Sequence, residues 1–239
     1  MASSFEAYLN FGALLLWFVC TISAAIIMLK RNPHFIANQF FFLAYIFYFT
    51  VGLSMWLYTT FPDYLIIQVF IRICIDAAFF GSVFLYLGTR VVFRSIDETP
   101  KKMIITLLII AAALATVIPL VPNLAVTISL DPVDNKVNNL AMLTVMAWQI
   151  ILIVQVLFML LRLRRVALGR LTTEELASGQ RPLHVVKMEI VIGAHLFALV
   201  GIFFIIAGNA VEIAWGDTLF YLLLCIDFIV TAYGILKTK

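Results

Sequence analysis

Four residues in this chain have the side-chain types and the placement needed for charge or proton chemistry: Arg72, Asp76, His195 and Asp227. Each is embedded in a long apolar run. An ionisable group is expensive there and persists where it faces a partner or a polar pathway. Arg72 and Asp76 are four residues apart, on one face of a helix, so the spacing allows a guanidinium–carboxylate pair across one turn. If that pair forms, Asp227 is a surplus carboxyl that must find His195, take up a proton or hold a cation. Thr50, Gln149 and Thr231 fall at similar depths and offer the hydroxyl and amide groups that would satisfy leftover lone pairs and protons. One polar centre built from all seven residues is the expectation. Glu189 and Glu212, toward the two ends of the His195 segment, are candidate ends of a proton path, with interfacial anchoring as the alternative. The same residues also admit a structural reading, in which Arg72–Asp76 and a protonated Asp227 do no more than fix helix packing.

Other chemistry lacks its residues. The chain has no HExxH, no GxSxG, no Gly-rich phosphate loop and no serine beside a plausible membrane-embedded base, so no catalytic residue is assigned and an enzyme is not expected. Its three histidines, His34, His184 and His195, do not form a metal or di-haem set, because the first two fall at the edge of the apolar segments. Neither a metal nor a cofactor is expected. Cys20, Cys74 and Cys225 lie in apolar segments without a CxxC spacing and read as buried thiols.

The elements that must position these residues follow from composition. Of 239 residues, 64% are apolar and 12% charged, and the mean hydropathy is +1.09, which makes lipid the solvent of the chain. A helix needs about 20 residues to cross a hydrocarbon core roughly 30 Å thick. Seven segments reach that length: 8–29, 35–59, 64–92, 102–121, 138–161, 185–213 and 218–236. The runs are too continuous for a membrane barrel, so the predicted class is an all-α polytopic membrane protein with seven transmembrane helices in a single domain, 1–239. The first segment lacks a basic flank and a cleavage site and is expected to be retained as a span.

Lys30, Arg31, Arg90, Arg94, Lys101, Lys102, the basic run in 162–187, Lys237 and Lys239 all fall on one side, and Lys136 alone falls on the other. Basic residues are retained on the cytosolic side, which predicts an N-terminus outside and a C-terminus in the cytosol of a cell membrane. Arg162, Arg164, Arg165 and Arg170 are then placed to reach lipid phosphates or a partner. The outer connection VPNLAVTISLDPVDNKVNN reads as a surface loop or a lid, and Thr172 with Glu175 has the spacing of a capping box. Gly193, Ala194, Ala198, Gly201 and Gly208 suggest close packing along the sixth helix. Pro33 with Cys74-Ile75-Asp76, and Pro182 with Cys225-Ile226-Asp227, form an internal echo that would fit parallel repeats.

The segment LKRNPHFIANQFFFLAYIFYFTVGLSMW resembles the passage from the first to the second helix in the seven-helix membrane modules of sensor histidine kinases. The resemblance covers about 30 residues and implies a free-standing sensor module that signals through another protein. The topology, with Arg72, Asp76 and Asp227, is similar to that of microbial rhodopsins, but the position of their retinal lysine holds Thr231, so no covalent retinal is expected. Three functions stand open: a sensor or receptor, a proton- or ion-translocating protein, and an accessory subunit of a membrane complex. The expected partners are the lipid bilayer and a membrane or cytosolic protein, with homo-oligomerisation open and nucleic acid excluded.

Overall fold

In the computed structural model the chain is all-helical, with seven α-helices and no strand among the described residues. Residues 4–60, 65–94, 98–120, 139–170, 182–211 and 215–236 are described. Side chains are described at 8–9, 11–30, 32–54, 56–57, 77–94, 98–117, 143–170, 182–207 and 218–232. The helices are α1 (Ser4–Arg31), α2 (Ile36–Thr60), α3 (Leu65–Arg94), α4 (Lys101–Leu120), α5 (Asn139–Leu168), α6 (Leu183–Val211) and α7 (Trp215–Leu236).

The helix limits follow local chemistry. Asn32 and Pro33 form the turn before α2: Asn32 Oδ1 accepts from the His34 amide at 3.2 Å, and Asn38 Nδ2 donates back to the Asn32 carbonyl at 3.0 Å. Pro100 and Pro182 stand immediately before α4 and α6, where a fixed φ suits a helix start. Their carbonyls accept from Met103 and Val185, each at 2.9 Å. The α5 helix continues to Leu168, past the expected end at 161, because Arg162-Leu163-Arg164-Arg165-Val166-Ala167-Leu168 is mostly good helix-forming sequence. It stops at Gly169, whose amide closes onto the Arg165 carbonyl at 3.0 Å.

Five helices carry a described stretch long and apolar enough to cross a membrane: Phe11–Lys30, Ile36–Ser54, Ala77–Arg94, Leu143–Leu168 and Leu183–Ala207. Large apolar side chains stay exposed along them, Phe158 by 70% and Phe203 by 65%, as is expected where the outer face meets acyl chains rather than water. This is the architecture of an integral membrane protein.

The chain divides into two compact units, Met1–Leu152 and Ile153–Lys239, and the division falls inside α5. In the first unit α2 packs on α1 and α3, and α3 packs on α4. Trp17 is 2% exposed and donates its indole N–H to the Tyr48 carbonyl at 3.0 Å, so this residue belongs to the helix interface and not to the aromatic belt where its type would place it. Phe47 stacks on Phe84 with centroids 5.7 Å apart, and Phe40 and Phe80 extend the same seam between α2 and α3. Tyr48 and Ser82 share a hydroxyl hydrogen bond of 3.1 Å. From α5, Trp148 donates to the Phe79 carbonyl of α3 at 3.2 Å. In the second unit α6 packs along α7. Cys20 and Cys225 are buried and form no disulfide.

Among the described residues, several helix hydroxyls bond within their own helix. Thr21, Thr50, Ser82, Thr89 and Thr116 each donate to the carbonyl four residues earlier, and Ser54 to the carbonyl three earlier. Each helix thus satisfies these groups without a neighbour.

Candidate functional site

Among the described residues, a buried cluster of ionisable side chains lies between α6 and α7. His195 is twelve residues into α6 and Asp227 twelve residues into α7, each about 18 Å along its helix at 1.5 Å per residue. The two helices pack together, and the Asp227 carboxylate and the His195 ring meet at the same level. His195 and Asp227 are each 1% exposed and Thr231 is fully buried. Close approach of the helices is helped by Gly201, where an added Cβ would sit 3.2 Å from Leu223 Cβ, and by Ala194 and Ala198, both 1% exposed. Gly193 has open space around its Cα and takes no part in that packing; Gly208 has no described side-chain environment.

Both contacts to the carboxylate converge on one oxygen. Thr231 Oγ1 donates to Asp227 Oδ1 at 3.2 Å, from one turn further along the same helix. His195 Nδ1 lies 3.2 Å from that same Oδ1 but lacks the alignment of a hydrogen bond, so the ring nitrogen is buried without one. A hydroxyl bond to a carboxylate is ordinarily about 2.5–2.7 Å. The centre is therefore buried and under-bonded: three polar side chains are held together, none at the distance of a strong charge-assisted bond. In hydrocarbon such an arrangement is costly, and a buried polar atom left short of a partner marks a place where a proton or a polar ligand changes the balance.

The expected seven-residue centre is resolved only in part. His195, Asp227 and Thr231 come together. Thr50 belongs to the first unit and spends its hydroxyl on the Ile46 carbonyl at 2.9 Å, which removes the lone donor it was expected to contribute. Gln149 is buried, 7% exposed, and also lies in the first unit. Arg72 and Asp76 lie on α3, but their side chains fall outside the described residues, as does that of Cys74. Glu212, the outer loop and the Thr172–Glu175 spacing fall outside them as well.

A second charged site was not foreseen. Arg164 Nε donates to Glu189 Oε1 at 2.8 Å, joining α5 to α6, with side chains 35% and 27% exposed. Glu189, expected as an end of a proton path or an interfacial anchor, is thus bonded to the Arg164 guanidinium through Nε, and both side chains stay part-exposed. Lys187, the last basic residue of the run 162–187, is only 5% exposed. Among the described residues no group of three histidine, cysteine or acidic side chains is arranged to hold a metal ion.

Fold and site together define an all-α integral membrane protein with a polar centre buried between two helices. No protein-family model, curated protein or solved structure matches the chain.

Proposed function

We propose that this protein is a seven-span sensor or receptor-like membrane protein, N-terminus outside and C-terminus in the cytosol, in which a proton or polar ligand acting at His195, Asp227 and Thr231 shifts α6 against α7. The observation that carries the proposal is the under-bonded contact of a fully buried imidazole with a fully buried carboxylate. The cost of such a pair changes sharply when its charge or bonding changes, which is what biases one helix arrangement over another. The output is close by. Glu189 is six residues before His195, about 9 Å along α6, and is tied to Arg164 of α5, so a movement of α6 carries directly to the basic end of α5. The one-sided distribution of Lys and Arg supports a cytosolic location for that end.

Paired spin labels at Ala167→Cys and Leu183→Cys, with the native cysteines replaced and the protein in nanodiscs, test the proposal across pH 5 to 8. Two distance populations whose ratio follows pH in the wild-type background, and a single fixed population in Asp227→Asn, are expected. One unchanging distance in both would remove proton sensing. The close approach of an imidazole and a carboxylate, two groups able to exchange a proton, favours a second reading as a translocating protein. Proton uptake into liposomes that is abolished by Asp227→Asn or His195→Gln would establish it instead.

A further inference from the structure

We propose that the cleft between the C-terminal end of α5 and the N-terminal end of α6 binds an anionic phospholipid. The cleft encloses about 460 Å³, within the range of small-molecule sites. Its walls include Leu163, Val166 and Met188, and its lining also carries Arg170 and His184, both exposed. Neither Arg170 nor His184 is ion-paired to a carboxylate among the described residues, whereas Arg164 is taken by Glu189. The surrounding stretch 162–187 holds six basic residues against two glutamates, so the local field favours an anion.

Position decides between a lipid and a soluble acidic partner. The apolar walls belong to the last turns of the span Leu143–Leu168 and the first turns of the span Leu183–Ala207. Span ends lie at the headgroup level, so the walls adjoin the upper acyl chains while Arg170 and His184 reach the phosphates. A single ligand that is apolar below and anionic above fits both halves, and a phospholipid is that ligand. An acidic peptide would satisfy Arg170 and leave the apolar walls unmatched. The inference rests on the membrane placement of α5 and α6 and is independent of any sensing role.

The test uses the full chain in nanodiscs of equal phosphatidylglycerol and phosphatidylcholine, followed by native mass spectrometry of retained lipid. Wild type is expected to retain phosphatidylglycerol preferentially. Arg170→Gln with His184→Gln should lower that retention by roughly fivefold or more. Arg162→Gln with Arg165→Gln, which removes two exposed charges that do not line the cleft, should leave it within about twofold of wild type. Ala167→Phe should displace the lipid by filling the cleft with no change of charge, while helical content measured by circular dichroism stays that of wild type. Equal retention of the two lipids by wild type, or equal losses from the two double variants, would overturn the site in favour of diffuse attraction. Displacement of the lipid by a glutamate-rich peptide, and not by added phosphatidylglycerol, would overturn it in favour of a protein partner. These outcomes are readable whether or not α6 moves with pH.

Discussion

Asp227 Oδ1 is the oxygen on which Thr231 and His195 both converge, one within hydrogen-bond geometry and one only within distance. Replacing the carboxylate therefore has effects that depend on what the new side chain can accept. Asp227→Asn keeps an oxygen for Thr231 and is expected to change stability by less than about 1 kcal/mol, in line with the modest worth of polar contacts inside membranes. Asp227→Leu leaves the hydroxyl and the ring nitrogen facing hydrocarbon and should cost about 1–3 kcal/mol. Unfolding in mixed micelles with increasing dodecyl sulfate measures both, and equal costs for the two variants would mean that Oδ1 accepts nothing of consequence. At this scale the sequence was partly legible. Depth counted at a constant helical rise brings His195 and Asp227 to one level, and a four-residue spacing puts Thr231 beside the carboxylate. The same count could not show that the Thr50 hydroxyl closes onto the Ile46 carbonyl, because whether a threonine hydroxyl points to a neighbour or bonds its own helix is a rotamer choice that spacing does not encode.

Helix interfaces are set by where small residues meet large ones. An added Cβ at Gly52 would lie 2.8 Å from Trp17 Cδ1, and the Trp17 ring is fixed by its bond to the Tyr48 carbonyl, so it cannot swing away without losing that bond. Gly52→Ala is expected to destabilise the α1–α2 interface by about 1–3 kcal/mol. Gly193→Ala meets nothing within 4 Å and should stabilise by about 0.5–1 kcal/mol, through the lower backbone entropy of the unfolded chain. Thermal unfolding of the two variants in one detergent checks the pair, and a loss at Gly193 as large as that at Gly52 would contradict the packing described. The run of small residues on α6 was visible in the sequence, yet only the fold distinguishes Gly201, against Leu223, from Gly193, against open space. Helix existence was legible because apolar runs of this length have no alternative in lipid, and helix starts at Pro100 and Pro182 follow from proline chemistry. The end of α5 was missed because hydropathy stops at the first arginine, whereas helix propensity continues to Gly169.

For the molecule as a whole, the proposed orientation has a direct check. With Cys20, Cys74 and Cys225 replaced by serine, a membrane-impermeant maleimide should label Lys30→Cys, Lys101→Cys and Arg170→Cys from the cytosolic side, and Lys136→Cys from outside. Labelling of Lys136→Cys and Lys101→Cys from the same side would break the topology. Membrane residence was readable from composition alone, because so apolar a chain has no other solvent, whereas the division into two units depends on side-chain packing that composition does not specify. The hydroxyls that bond within their own helices bear on how such a molecule is made. Because Thr21, Thr50, Ser54, Ser82, Thr89 and Thr116 already have their acceptors on the same helix, the segments that carry them can enter the bilayer one after another during synthesis without waiting for a partner to satisfy those groups. The α6–α7 pair is different: Thr231 turns its hydroxyl to Asp227, and the carboxylate meets its histidine only once the preceding helix is in place. The last helix is thus coupled to the one before it: its carboxyl gains the histidine neighbour only on packing beside α6, whereas the self-bonded hydroxyls need no such arrival.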